Sequence, residues 1–124
     1  MKLLTNNPKF LNYQNKKIKI KYYETNYFEI LKKTRDLVHK NYEILTHPLY
    51  GSIKPNETLY RSIVLQKSDS LSINSLSLIS EAIDTFMKFK NNKETPLWSE
   101  KIKEDFSVID FDLITNAIGR INDI

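Results

Sequence analysis

Between Lys17 and Thr46 the spacing of apolar residues changes twice, and that switch restricts the chain to folds that combine strands with helices. Lys17-Ile18-Lys19-Ile20-Lys21-Tyr22-Tyr23 alternates lysine with apolar residues, which sends Ile18, Ile20 and Tyr22 to one side of a strand and the lysines to the other. Asn26 with Glu29 three residues later resembles a capping box, and Tyr27, Ile30, Leu31, Thr34, Leu37 and Val38 then follow helical spacing. This predicts a helix running to about Lys40, with Asn41 as a left-handed stop. Tyr42-Glu43-Ile44-Leu45-Thr46 reads as a strand again. The whole is a β-α-β unit, whose crossover is expected to join parallel strands and to cover one face of a sheet.

The same reasoning extends to both ends. Lys2 to Thr5 reads as a short strand halted by Asn6-Asn7-Pro8, with Pro8 suited to the first position of a brief helix carrying Phe10, Leu11 and Tyr13. Ile63-Val64-Leu65-Gln66 is the fourth strand. The Ser68 to Ser72 segment leads into a helix with Leu76, Ile79, Ile83, Phe86 and Met87 inward. Thr95-Pro96 is expected to start a helix with Trp98, Ile102 and Phe106, and Asp110 to cap a terminal helix with Phe111, Ile114, Ala117, Ile118 and Ile121 inward. The expected fold is α/β: a small, mostly parallel four-stranded sheet in the order 2-1-3-4, flanked by helices as an α/β sandwich, with C-terminal helices. The 124 residues are expected to form one domain, 1–124.

Several function classes fall away at this stage. With no cysteine there are no disulfides, thiolate metal sites or thiol redox chemistry, and with two glycines, Gly51 and Gly119, a dinucleotide fingerprint or phosphate loop cannot be written. His39 and His47 are too isolated for a metal motif, and no metal or cofactor is expected. The apolar runs are far shorter than the roughly 20 residues of a membrane span, and Met1 to Pro8 turns polar after two leucines, so a cytoplasmic protein is expected. The net charge of +4 raises the possibility of nucleic-acid binding through Lys16, Lys17, Lys19 and Lys21. A solvated strand face that resists edge-to-edge pairing explains the same lysines.

The segment from Thr46 to Ser62 is the longest without periodicity, and a loop of that length without its own structure is uncommon unless functional. Ser52, Lys54, Asn56, Thr58 and Arg61 offer hydrogen bonds and positive charge to a polar or anionic small molecule. Leu4-Thr5-Asn6-Asn7-Pro8 is echoed by Leu45-Thr46-His47-Pro48. Were the first and third strands parallel neighbours, Asn6, Asn7, Thr46 and His47 would line one crevice at the strand ends. The alternative is that these residues cap strands and helices. His47 could move protons with Glu57 as its orienting partner, which makes a transferase- or hydrolase-type enzyme a second reading, beside backbone hydrogen bonding of a strand-end histidine.

Leu4-Thr5-Asn6-Asn7-Pro8 and Leu45-Thr46-His47-Pro48-Leu49, with Gly51-Ser52-Ile53-Lys54-Pro55-Asn56-Glu57-Thr58 and Tyr60, resemble the GrdX-like family, small proteins of anaerobic bacteria encoded beside the glycine reductase system. The resemblance spans nearly the whole chain and is most specific in the central loop. It implies a cytoplasmic accessory role in amino-acid reduction, with a small metabolite or a glycine reductase subunit as partner, and it carries no catalytic residues to assign. The absence of cysteine argues that the chain does not itself perform thiol or selenol redox steps.

Overall fold

A computed structural model describes residues 1–48, 59–92 and 98–122. The elements in chain order are β1 (Lys2–Thr5), a short 3-10 helix (Pro8–Asn12), β2 (Lys19–Tyr22), α1 (Tyr27–His39), β3 (Tyr42–Ile44), β4 (Ser62–Lys67), α2 (Ile73–Asn92) and α3 (Glu100–Asn122). Local signals set most of these boundaries. Asn7 accepts from Lys9 N at 3.0 Å and places Pro8 in the first turn of the 3-10 helix. Asn26 Oδ1 accepts from Glu29 N at 2.8 Å, one half of the capping box. The Glu29 carboxylate turns instead to Lys32, 2.7 Å away, whose hydrogen bond holds it below the usual carboxylate value. Asn41 closes α1 at φ 71°, the left-handed conformation that asparagine tolerates. Ser72 and Ser99 cap α2 and α3 by accepting from Ser75 N and Ile102 N.

The sheet has the order β2-β1-β4-β3. β1 pairs with β2 in parallel, and β4 is antiparallel to both β1 and β3. The sheet is therefore mixed rather than mostly parallel, and β4 occupies the place beside β1 that the order 2-1-3-4 assigns to β3. A parallel neighbour for β3 would require the chain to travel back along the sheet, usually as a helix. No helical period interrupts Thr46 to Ser62, so the chain reverses at that end and returns beside the strand it left.

Successive residues of the inner strands feed opposite cores. Leu4, Ile63 and Leu65 pack under α1 and α2 with Ile30, Leu31, Val38, Ile79 and Phe86. Leu3 and Val64 face Phe10 of the 3-10 helix and Ile114 and Ile118 of α3. β4 is buried from Ser62 to Leu65, as an inner strand covered on both faces must be. Phe86 stacks between Tyr27 and Phe28, each ring centroid 5.3 Å away.

Two helix boundaries depart from the sequence expectation. α3 runs unbroken from Glu100 to Asn122, because no proline or glycine interrupts it before Gly119, and Asp110 lies buried in its middle instead of capping a new helix. Thr95 and Pro96 lie outside the described residues, and Trp98 precedes α3. Met87, expected in the core, is 38% exposed, while Ile83 is half-buried against the core. Among the described residues, no helix is long and apolar enough to cross a membrane.

Ile79 is fully buried. Ile79→Ala is expected to cost about 2 to 5 kcal/mol in urea unfolding, whereas Met87→Ala should stay within about 0.5 kcal/mol. Ile83→Ala should fall between them; equal midpoints for all three would contradict this packing.

Candidate functional site

β1 and β3 run in the same direction with β4 reversed between them, so the C-terminal ends of β1 and β3 and the N-terminal end of β4 meet at one end of the sheet. That topology brings Asn6, Asn7, Thr46, His47 and Arg61 to the same end. β1 and β3 are not the parallel neighbours that the expected crevice required, because β4 is inserted between them. Ser52, Lys54, Asn56, Glu57 and Thr58 lie outside the described residues.

The polar groups at this end are committed to one another. Asn6 Nδ2 donates to Thr25 O and Leu59 O, both at 2.9 Å, and its Oδ1 accepts from Arg61 N at 2.8 Å. Asn6 thus extends the β1–β4 pairing with its side chain and holds down the last residues of the loop. Asn7 uses both amide protons, to Ser107 O at 2.8 Å and to Asp110 Oδ2 at 3.0 Å. Asn7 N donates to Thr5 Oγ1 at 2.9 Å, Thr5 Oγ1 lies 2.6 Å from Ser62 Oγ, and Ser62 Oγ donates to Asp110 Oδ2 at 2.6 Å. The Ser62 proton is given to Asp110, so the Thr5 hydroxyl is the donor to Ser62 and the hydrogen bonds run in one direction onto the carboxylate. Thr5, Asn7 and Ser62 are fully buried, and Asp110 is 5% exposed.

Thr46 performs the matching task at the other end of the loop. Its Oγ1 accepts from Val64 N at 3.0 Å, continuing the β3–β4 ladder beyond Ile44. The Tyr27 hydroxyl donates to Pro48 O at 3.5 Å, and the Arg61 guanidinium lies 4.8 Å from the Tyr27 ring centroid. Both residues are buried, so Tyr27 of α1 braces the two sides of the loop base. His47 is exposed. Tyr60 faces Lys103 and the carboxylates of Glu100 and Glu104, and its phenol is held above the ordinary value, first by burial. Lys9 Nζ pairs with Glu104 Oε1 at 2.6 Å, bridging the 3-10 helix to α3.

The sequence reading assigned Asp110 to a helix cap and gave Thr5, Ser62 and Ser107 no part in such a cluster. No local pattern could reveal them, because Ser62 and Asp110 are 48 residues apart and meet only when α3 docks. Among the described residues, no group of three or more His, Asp or Glu side chains could hold a metal ion. The arrangement acts as a rigid socket that fixes both ends of the loop. The Ser62 hydroxyl, paired with the Asp110 carboxylate, is fully buried and inaccessible to a substrate.

Asp110→Ala would leave the Ser62 hydroxyl and one Asn7 amide proton buried without their acceptor, at a cost of about 1 to 3 kcal/mol for each such group. Ser62→Ala removes one donor only and should destabilise less in the same unfolding assay. The Lys9 hydrogen bond holds the Glu104 carboxyl below its usual value. Whatever stability that pair contributes is therefore present above the ordinary carboxylate pKa and lost as pH falls through the lowered one. Lys9→Met should return the Glu104 titration, followed by NMR, to the ordinary range.

No curated protein and no solved structure matches the chain. The family described as GrdX-like protein matches it over residues 2–119, nearly its whole length, and the chain therefore belongs to the GrdX-like family.

Proposed function

We propose that this chain is an accessory protein of glycine reduction that binds a small polar or anionic metabolite through the Thr46 to Ser62 loop. The family name points to the glycine reductase system. The observation that carries the binding assignment is the socket itself: Asn6, Thr46 and Tyr27 pin both ends of the loop to the strand ends and to α1. Binding residues are characteristically carried on loops positioned by a rigid scaffold, and ligands of open α/β sheets gather at strand ends where connections diverge. In this reading Asn6, Asn7 and Thr46 orient the loop, while exposed His47 with Ser52, Lys54, Asn56 and Thr58 meet the ligand. Arg61 is buried at 2% exposure, so it supports the loop base rather than a freely exchanging ligand.

A non-enzymatic role fits the chemistry better than a hydrolase or transferase. The Ser62–Asp110 pair is sealed, and His47 would require Glu57 beside it.

The purified chain should gain thermal stability from glycine or a related amino acid or acyl phosphate, or form a complex with purified glycine reductase components. His47→Ala, Lys54→Ala and Asn56→Ala should remove that response while changing stability by no more than about 0.5 kcal/mol. Arg61→Ala should lower the melting temperature clearly. Loop variants that melt as early as Ile79→Ala would make the loop a structural brace and sink this assignment.

A further inference from the structure

Among the described residues, α1 leaves part of the sheet uncovered beside β2. A cleft of about 210 Å³ opens there between α1 and strands β1 and β2. Its charged lining is Lys2, Lys21, Lys33 and one acid, Asp36, and its apolar lining is Leu4, Leu37 and Tyr23. The three lysines come from three different elements. β2 is an edge strand, so Lys21 can be explained as protection against edge pairing. That explanation does not reach Lys2 on inner strand β1 or Lys33 on α1.

The positive potential is reinforced from outside the cleft. Lys19 is the register partner of Lys2, and Lys2 Nζ and Lys67 Nζ stand 4.9 and 5.1 Å from the Tyr42 ring centroid. The Tyr42 phenol is held below its ordinary value, first by its hydrogen bond to Lys2 and then by the charges of Lys2, Lys67 and Lys19. Lys33 Nζ lies 4.4 Å from the Tyr23 ring centroid, which keeps an ammonium group on the cleft wall.

We propose that this cleft is a second ligand site, for a small organic phosphate, in which Lys21 and Lys33 meet the phosphoryl oxygens, Lys2 adds positive charge from the floor while its ammonium stays on Tyr42, and Leu4, Leu37 and Tyr23 cover the organic part. Lysine ammonium groups bind phosphate as movable point charges and need no fixed fork geometry. The apolar floor and aromatic wall distinguish this cleft from a bare basic surface and call for a ligand with a carbon skeleton. Its volume is that of about seven waters at about 30 Å³ each, below the range of about 300 Å³ and more that larger ligands occupy. A nucleic-acid strand would instead track the exposed Lys16 and Lys17 beside β2.

The test titrates the full chain by calorimetry with phenyl phosphate, inorganic phosphate, succinate and oligothymidylate. Phenyl phosphate should bind more tightly than the other three and should raise the Tyr42 titration, read by NMR, toward the ordinary phenol value. The double variant Lys21→Gln/Lys33→Gln should weaken phenyl phosphate by about tenfold or more, the scale of a lost charge-assisted contact. Lys16→Gln/Lys17→Gln removes the same net charge away from the cleft and should change affinity by no more than about twofold, as expected of screened surface charges. No phenyl phosphate binding at millimolar concentration, or equal weakening by the two double variants, overturns the site. Tighter binding of oligothymidylate replaces it with a nucleic-acid surface, and succinate binding equally well removes the phosphate assignment. Should the cleft variant fail to fold, the wild-type Tyr42 shift decides: a phenol whose titration does not rise with phenyl phosphate places the ligand elsewhere. Loss of phenyl phosphate binding in loop variants with intact melting would likewise move it to the loop, so the two sites fail separately.

Discussion

Asp110 sits in the middle of a helix, buried, and accepts hydrogen bonds from Asn7 just beyond β1 and from Ser62 at the start of β4. A buried carboxylate without such partners would cost several kcal/mol, so α3 can dock stably only in the orientation that delivers Asp110 to the two strand ends. That orientation places Ile114 and Ile118, on the same helical face, over Leu3 and Val64. The same contacts fix where β1 ends and β4 begins. One polar cluster therefore sets the register of the second core, the closure of the sheet at one end and the anchorage of the loop above it.

The reversal of β4 has consequences beyond topology. With β4 antiparallel between β1 and β3, the connection from Thr46 to Ser62 starts and finishes at the same end of the sheet. Asn6 and Thr46 complete the strand ladders with side-chain oxygens where backbone pairing runs out. Residues that look like ligand contacts in one dimension thus serve first as the frame for a loop.

On the α1 face the limits of helix coverage matter as much as packing. α1 and α2 seal the middle of the sheet around Leu4, Ile63 and Leu65, but the flank toward β2 stays partly open and is lined by lysines. The alternation of Lys19, Ile20 and Lys21 puts the apolar members toward the α3 side, so the charged members line the α1 side. A pattern that solubilises an edge strand also builds one wall of a basic cleft once Lys2 and Lys33 are brought opposite.

Whatever depends on neighbours a few residues away was legible in the sequence. The caps at Asn7 and Asn26, the left-handed stop at Asn41, the helical stripes over α1 and α2 and the short strands all follow from local hydrogen bonding and periodicity, as does the α/β class. The family was legible as well, from the ordered motifs around Asn6-Asn7-Pro8 and the central loop. Only the tertiary structure decided that the sheet is mixed, because strand direction depends on whether a connection crosses the sheet or turns back, and a loop without periodicity permits both. It alone showed Asp110 as a buried acceptor, since a carboxylate near apolar helical residues reads equally as a cap or as the partner of a distant serine. Which lysines share a cleft was hidden for the same reason: Lys2, Lys21 and Lys33 are brought together by pairing and packing, and nothing in their order along the chain records it.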